Sequence, residues 1–206
     1  MIAIVDYGAG NVRSVEKALA HVGANARLTA DPAEIRTADG IVFPGQGRFD
    51  QAMAQLRGTG LDGVLREMVA AQRPFLGICL GLQLLFEGSD EAPGVAGLGI
   101  LSGHCERFAA PQKVPQIGWN PIQATQPSAI LGPVLGAGHD HVYFVHSFHA
   151  VAADPADVVA VANYGGSFTA AVQRGSLFAA QFHPEKSGQA GLALLRSWLA
   201  HGAHTC

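Results

Sequence analysis

Apolar positions in the first half of the chain alternate between two rhythms. Residues 2–7 (IAIVDY) form a β-rich apolar run, followed by a glycine-rich turn at Gly8-Ala9-Gly10. Val12, Val15, Leu19 and Val22 then recur at i, i+3, i+7 and i+10, the spacing of one helix face. A second strand is predicted from Ala26 to Ala30. Asp31-Pro32 after it has the form of a helix N-cap with proline at the first helical position. Gly40 to Phe43 predicts a third, buried strand, ended by Pro44-Gly45. Leu61, Val64, Leu65, Met68 and Val69 form the next helical stripe, and Pro74 opens the strand Phe75-Leu76-Gly77-Ile78. From about Leu98 to Phe182 strands dominate, including His141–His149, Val158–Tyr164, Phe168–Gln173 and Leu177–Phe182. A closing helix carries Leu192, Leu195 and Leu199 on one face. Strand and helix in alternation imply a parallel sheet covered by helices on both faces, with ligands gathered beyond the carboxyl ends of its strands. The expected fold is therefore α/β, a single doubly wound domain over residues 1–206 with a mainly parallel central sheet.

Composition narrows the class. The 206 residues carry 13 basic and 16 acidic side chains, a formal net charge of −3, with 49% hydrophobic and 14% charged residues. Such a chain buries a sizeable core and is not disordered. It has no basic excess to neutralise phosphates, so no nucleic-acid partner is expected. No apolar run reaches the ~20 residues that a membrane-spanning helix needs, and Asp6 comes too early for a signal peptide. The three cysteines, Cys79, Cys105 and Cys206, are an odd and scattered set, poor material for a disulfide framework. A cytoplasmic protein without membrane contact is the expectation.

The strongest local signal is Gly77-Ile78-Cys79-Leu80-Gly81, set between an apolar strand and the helical pattern LGLQLLF. It has the form of a nucleophile elbow with cysteine in the serine's place. The glycines let the chain reverse sharply, and the N–H groups of the following helix favour a thiolate and a developing oxyanion. A cysteine packed between strand and helix is the plain alternative. A nucleophilic thiol needs a base and a group to orient it. Gln181-Phe182-His183-Pro184-Glu185-Lys186-Ser187 supplies both if the segment is extended, because residues i and i+2 then face the same way. Phe43-Pro44-Gly45-Gln46-Gly47 offers two glycines around one residue, a backbone able to turn an N–H inward as an oxyanion hole requires.

Two other patterns carry less. Gly8-Ala9-Gly10-Asn11-Val12-Arg13 with Asp31 beyond has the look of a dinucleotide fingerprint, but Arg13 occupies the third glycine's place. His139, His141, His146 and His149 lie close together, yet no cysteine or glutamate joins them as a zinc site would need. No metal is assigned. Cys105 and Cys206 belong to no motif.

Elbow, oxyanion turn and His-x-Glu, in this order and at these separations, resemble the class I (triad) glutamine amidotransferase domain, and the resemblance spans essentially the whole chain. Asp6-Tyr7-Gly8-Ala9-Gly10-Asn11 with Ser14, Gly118-Trp119-Asn120, Tyr143-Phe144-Val145-His146-Ser147 and His183-Pro184-Glu185-Lys186-Ser187 are similar to one branch of that family. Its members are the glutaminase subunits of imidazole glycerol phosphate synthases in histidine biosynthesis. The resemblance implies a flavodoxin-like fold and L-glutamine as substrate. Cys79 would be the nucleophile and His183 the base, oriented by Glu185. It further implies an oxyanion hole from the backbone of Gln46 and Leu80, close approach at Gly45 and Gly47, and substrate contacts from Gln83, Ser147 and Phe148. Asn11, Trp119, Asn120 and Lys186 would face a (β/α)8-barrel cyclase subunit in a heterodimer, and no cofactor is implied. The chain departs from that branch's usual pattern at Gln46, where valine is common, at Gln116, where histidine is common, and at Phe148-His149, where an aromatic pair is usual. Three other functions fit parts of the pattern: the glutaminase of a different synthase, a stand-alone cysteine hydrolase, and a silent binding protein.

Overall fold

The computed structural model describes residues 1–8, 10 and 12–202. In chain order the strands are β1 (Ile2–Val5), β2 (Ala26–Thr29), β3 (Gly40–Gly45), β4 (Phe75–Cys79), β5 (Gly88–Ser89), β6 (Gly103–Arg107), β7 (Gln116–Ala124), β8 (His141–His146), β9 (Phe148–Ala152), β10 (Val158–Asn163), β11 (Ser167–Arg174) and β12 (Leu177–Ala180). The helices are α1 (Val12–His21), α2 (Pro32–Thr37), α3 (Phe49–Thr59), α4 (Leu61–Ala70), α5 (Leu80–Leu84), α6 (Gly132–Gly136) and α7 (Gly188–Gly202).

Nine strands form one sheet in the order β2-β1-β3-β4-β12-β11-β10-β7-β8, and β5-β6-β9 form a second, smaller one. The run from β2 to β12 is parallel. The remaining pairings of the large sheet are antiparallel. The inner parallel strands β1, β3, β4 and β12 are buried on both faces, which is why these segments read as unbroken apolar runs, whereas β2 at the edge exposes Arg27. Ala3, Val5, Ile41, Phe43 and Phe75 point into one core cluster, packed by Ile35 of α2 and by α3 and α4. Ile4, Val42, Leu76 and Ile78 point into the other, under Val15 and Leu19 of α1 and Leu194, Leu195 and Trp198 of α7. Asp31 caps α2 as its sequence predicts, its carboxylate accepting from the Ala33 N–H at 2.8 Å.

Four departures from the sequence-based expectation bear on the site. β3 does not stop at Phe43 but runs on through Pro44 and Gly45, which stand opposite Ile78 and Cys79 of β4. Beyond it Phe49, Ala52, Met53 and Leu56 form the buried stripe of α3, a helix the sequence reading did not pick out. The expected strand His141–His149 is two strands broken at Ser147, β8 in the large sheet and β9 in the small one. Finally, His183-Pro184-Glu185 is not extended: β12 ends at Ala180, and Pro184–Lys186 form a single 3-10 turn with His183 at its head. Among the described residues no helix is long and apolar enough to cross a membrane.

Candidate active site

The carboxyl ends of β3, β4 and β12 meet where the parallel half of the sheet gives way to the antiparallel half. Cys79 closes β4 and α5 begins at the next residue. Its backbone sits at φ 54°, ψ −108°, a conformation that costs an L-residue about 1–3 kcal/mol. The surroundings hold it there. A Cβ on Gly81 would lie 2.0 Å from the Phe43 carbonyl oxygen, and one on Gly77 would lie 2.8 Å from the Ala179 methyl. Only glycines at these two places let α5 close on β3 and β12 close on β4, and that closure forces the turn at Cys79. The thiol, 7% exposed, opens on a cavity of about 280 Å³.

His183 shares this cavity, and its imidazole is buried. Its Nδ1–H donates to Glu185 Oε1 at 2.8 Å, and both side chains are almost wholly removed from solvent. The 3-10 turn, not strand alternation, brings the two together. Burial alone depresses the imidazole's pKa. The charge of Cys79, a hydrogen bond with it, and Glu185 outweigh that and raise the pKa to about 10. Ser187 locks the turn to the sheet. Its hydroxyl donates to the His183 carbonyl at 2.7 Å and accepts from the Tyr143 N–H at 3.0 Å, while the His183 N–H donates to the Tyr143 carbonyl at 3.0 Å. Gly191 of α7 packs so close that a Cβ there would lie 1.8 Å from the Pro184 carbonyl oxygen.

Gln46, Gly47, Leu80, Gln83, Ser147 and Phe148 line the same cavity. Gly45 lies just behind it, where a Cβ would meet Tyr7 Oη at 2.6 Å and Leu80 Cβ at 2.9 Å. The expected substrate contacts divide once their hydrogen bonds are traced. Gln83 Nε2 donates to the Phe148 carbonyl at 2.7 Å and to Gln181 Oε1 at 3.1 Å, so Oε1 is the atom Gln83 offers to a ligand. The Phe148 carbonyl also accepts from His146 Nδ1 at 2.8 Å, and the Ser147 carbonyl accepts from the Phe108 N–H at 3.3 Å. Those two carbonyls are bonded within the cavity wall. The chain passes at Ser147 from the large sheet to the small one.

Four residues around the cavity were not singled out in sequence. Glu91 reaches it after accepting from the Phe49 N–H at 2.9 Å. His146 lines it as a neutral ring, burial holding its pKa at about 4 against the hydrogen bond to Phe148. Tyr7 lies against the turn at Gly45, where burial and the charge of Cys79 keep its phenol protonated far above the ordinary range. Gln181, fully buried, donates to Cys79 Sγ at 3.7 Å. Tyr7 stands in the quoted YGAGN segment and His146 among the clustered histidines, so both were in view without a role. Gln181 heads the segment that carries His183 and Glu185, also without a role, and nothing local marks Glu91.

Trp119 and Lys186 converge on Tyr143 beside the 3-10 turn Pro184–Lys186. The Trp119 ring, 56% exposed, packs edge-on to Tyr143 at 6.1 Å, and Lys186 Nζ lies 5.9 Å from that same ring. Asn120 instead donates its amide to the Asn163 carbonyl of β10 at 2.7 Å. Asn11 lies outside the described residues, as does Cys206. The histidine cluster does not assemble: His141 pairs with Asp140, His146 and His149 pack on Phe108, and among the described residues no three metal-binding side chains gather. Cys105 is buried against the Gln83 carbonyl, its thiol pKa pushed up by burial.

Known proteins carry the same plan. The imidazole glycerol phosphate synthase subunit HisH of Deinococcus radiodurans is 48% identical over 200 residues, covering 96% of this chain and 92% of that one. The chloroplastic imidazole glycerol phosphate synthase hisHF of Arabidopsis thaliana is 46% identical over 203 residues, 97% of this chain, which spans 34% of that protein's length. Among solved structures, PurLQS from Thermotoga maritima superposes with a TM-score of 0.76 at 19% identity, covering 97% of each chain, a likeness of fold. The sequence pattern of the class-I glutamine amidotransferases matches residues 3–201, and this chain belongs to that family.

Proposed function

We propose that the chain, acting as one unit over residues 1–206, is the glutaminase subunit of an imidazole glycerol phosphate synthase. The observation that carries the reading is that Cys79 and His183 meet on one small cavity at the strand ends, with Glu185 hydrogen-bonded behind the imidazole. Because Glu185 holds Nδ1 of His183, Nε2 is the nitrogen that takes the thiol proton. Cys79 Sγ attacks the side-chain amide carbon of L-glutamine. The resulting oxyanion is met by the backbone N–H groups of Leu80 and Gln46. Collapse expels ammonia, which leaves with the proton from His183, and a γ-glutamyl thioester remains on Cys79. Water, deprotonated by His183, then attacks the thioester. Glutamate departs and the thiol is restored. Glu91 and Gln83 Oε1, on the cavity wall, suit the substrate's α-ammonium group.

Ammonia released into water is protonated and loses its nucleophilicity, so it has to pass directly to an acceptor. Similarity to subunits of imidazole glycerol phosphate synthase supports a (β/α)8-barrel cyclase in that place, docked on Trp119, Asn120, Lys186 and Asn11. The cyclase would join the ammonia to a phosphoribulosyl-formimino carboxamide nucleotide, giving imidazole glycerol phosphate and an aminoimidazole carboxamide nucleotide. We place the heterodimer in the cytoplasm. The test is glutamate release from glutamine by the chain alone and with the barrel subunit plus its nucleotide. Strong stimulation, lost in Cys79→Ala, is the expected result. Full activity alone points to a stand-alone hydrolase, and silence in both cases points to a different synthase.

A further inference from the structure

Gln181 is 0% exposed, yet its side chain is polar, and burying an amide is costly unless its groups are paired. Its neighbours also settle which way the amide points. A backbone carbonyl only accepts, so the Gln83 atom 2.7 Å from the Phe148 oxygen is an amide nitrogen. That nitrogen's second hydrogen faces Gln181 at 3.1 Å, so the Gln181 atom there is its oxygen. The remaining end of Gln181 is therefore an NH₂ group, 3.7 Å from Cys79 Sγ. One carbonyl thus fixes both amides and aims an N–H donor at the sulfur.

We propose that Gln181 is a second hydrogen-bond donor to the Cys79 thiolate, separate from His183, and that through Gln83 it ties the nucleophile's aim to the wall that receives the substrate. The inference rests on Cys79 being the nucleophile of the reading above. The Val145 carbonyl, 3.9 Å from Sγ, accepts only from the protonated thiol, whereas Gln181 favours the anion. A thioester sulfur is a poor acceptor, so the Gln181 bond weakens in the acyl-enzyme and returns as the thiolate leaves. Gln181 thus assists formation of the nucleophile and its departure, a difference between states that simple packing does not provide. The other titratable groups facing Cys79 are His183 with Glu185 behind it, Tyr7, His146 and, across the cavity, Glu91. A substitution at Gln181 leaves all of them in place.

The test is the pH dependence of iodoacetamide alkylation of the full chain, with the labelled residue located by peptide mass mapping, for the parent and Gln181→Met. Thermal stability and the glutaminase kcat and KM of the heterodimer are measured alongside. Methionine keeps the volume and removes the donor. The alkylation midpoint is expected to move up by about one pH unit, with about tenfold slower labelling below it. In the heterodimer kcat should fall while KM stays within about twofold. Gln83→Leu leaves Gln181 present but unoriented, and should move the midpoint in the same direction by less, which keeps the idea testable if Gln181→Met does not fold. An unchanged midpoint with labelling on Cys79 overturns the role of Gln181, even if stability falls. Labelling elsewhere, with Cys79→Ala still active, overturns the nucleophile assignment itself.

Discussion

Gly81→Ala places a single methyl group at the joint on which the elbow depends. The new Cβ would lie 2.0 Å from the Phe43 carbonyl oxygen and 3.0 Å from its carbon. Ordinary carbon–oxygen contact begins near ~3.3 Å, so α5 and β3 must separate by about 1.3 Å. Neither partner is a flexible side-chain end. Both are backbone, one in a strand paired on each side and one at the start of a buried helix. Overpacking of this kind costs about 3 kcal/mol, and for a chain of this size that lowers Tm by roughly 6–12 °C. The same separation carries Leu80 away from Gly45, whose own missing Cβ lets Leu80 approach. A misplacement of about 1 Å in a catalytic constellation costs on the order of 100-fold in rate. Thermal unfolding and glutamate release in the presence of the barrel subunit read the two effects. Gly63→Ala, in α4 with nothing within 4 Å of the added methyl, serves as control and should hold or raise Tm. A Gly81→Ala protein with the parent's Tm and rate would refute the argument that this contact shapes the elbow.

Three further outcomes follow from the same geometry. Because Cys79 sits at φ 54°, Cys79→Gly should be more stable than Cys79→Ala by about 1 kcal/mol, the reverse of the usual order, read as urea midpoints of the two inactive variants. Stability should peak near pH 6.5 and fall on both sides. His183, its pKa raised to about 10, adds stability that is complete below about 6.5 and lost as pH climbs through 10. His146, its pKa lowered to about 4, adds stability that is present above 6.5 and lost as pH falls through 4. Urea midpoints from pH 4 to 10 test this, and Cys79→Ala should flatten the alkaline limb by removing a group that holds the His183 pKa up; an unaltered limb would count against Cys79 as that cause. Trp119→Ala removes an exposed aromatic anchor and should weaken association with the barrel subunit by about 30-fold or more, with Tm unchanged, as read by titration calorimetry. Undiminished affinity would move the docking face elsewhere.

What could be read from the chain itself was whatever a short window encodes. Apolar runs such as Phe75–Ile78 announce strands buried on both faces, because water is excluded from both sides of each residue in turn. The stripe of α1 and the Asp31 cap are equally local, set by helical period and by one carboxylate reaching an orphan N–H. The elbow was legible for the same reason: glycines two residues either side of Cys79 leave the room that a tight strand–turn–helix junction demands. Similarity of whole segments then pointed to the family, and with it to glutamine.

Tertiary structure decided who faces whom. β4 finds its neighbour in β12, about a hundred residues later, and only that pairing sets His183 beside Cys79. Alternation along an extended segment suggested the union of His183 with Glu185, but a 3-10 turn held by Ser187 and α7 achieves it. The break at Ser147 and the engagement of the Phe148 carbonyl arise where two sheets compete for one stretch of backbone. The contacts of Gln181 and Glu91 are not legible in sequence because a polar residue carries no mark of its distant partner. Periodicity records whether a side chain is buried; the identity of its partner is fixed only when segments far apart in sequence close on one another and every buried donor must find an acceptor.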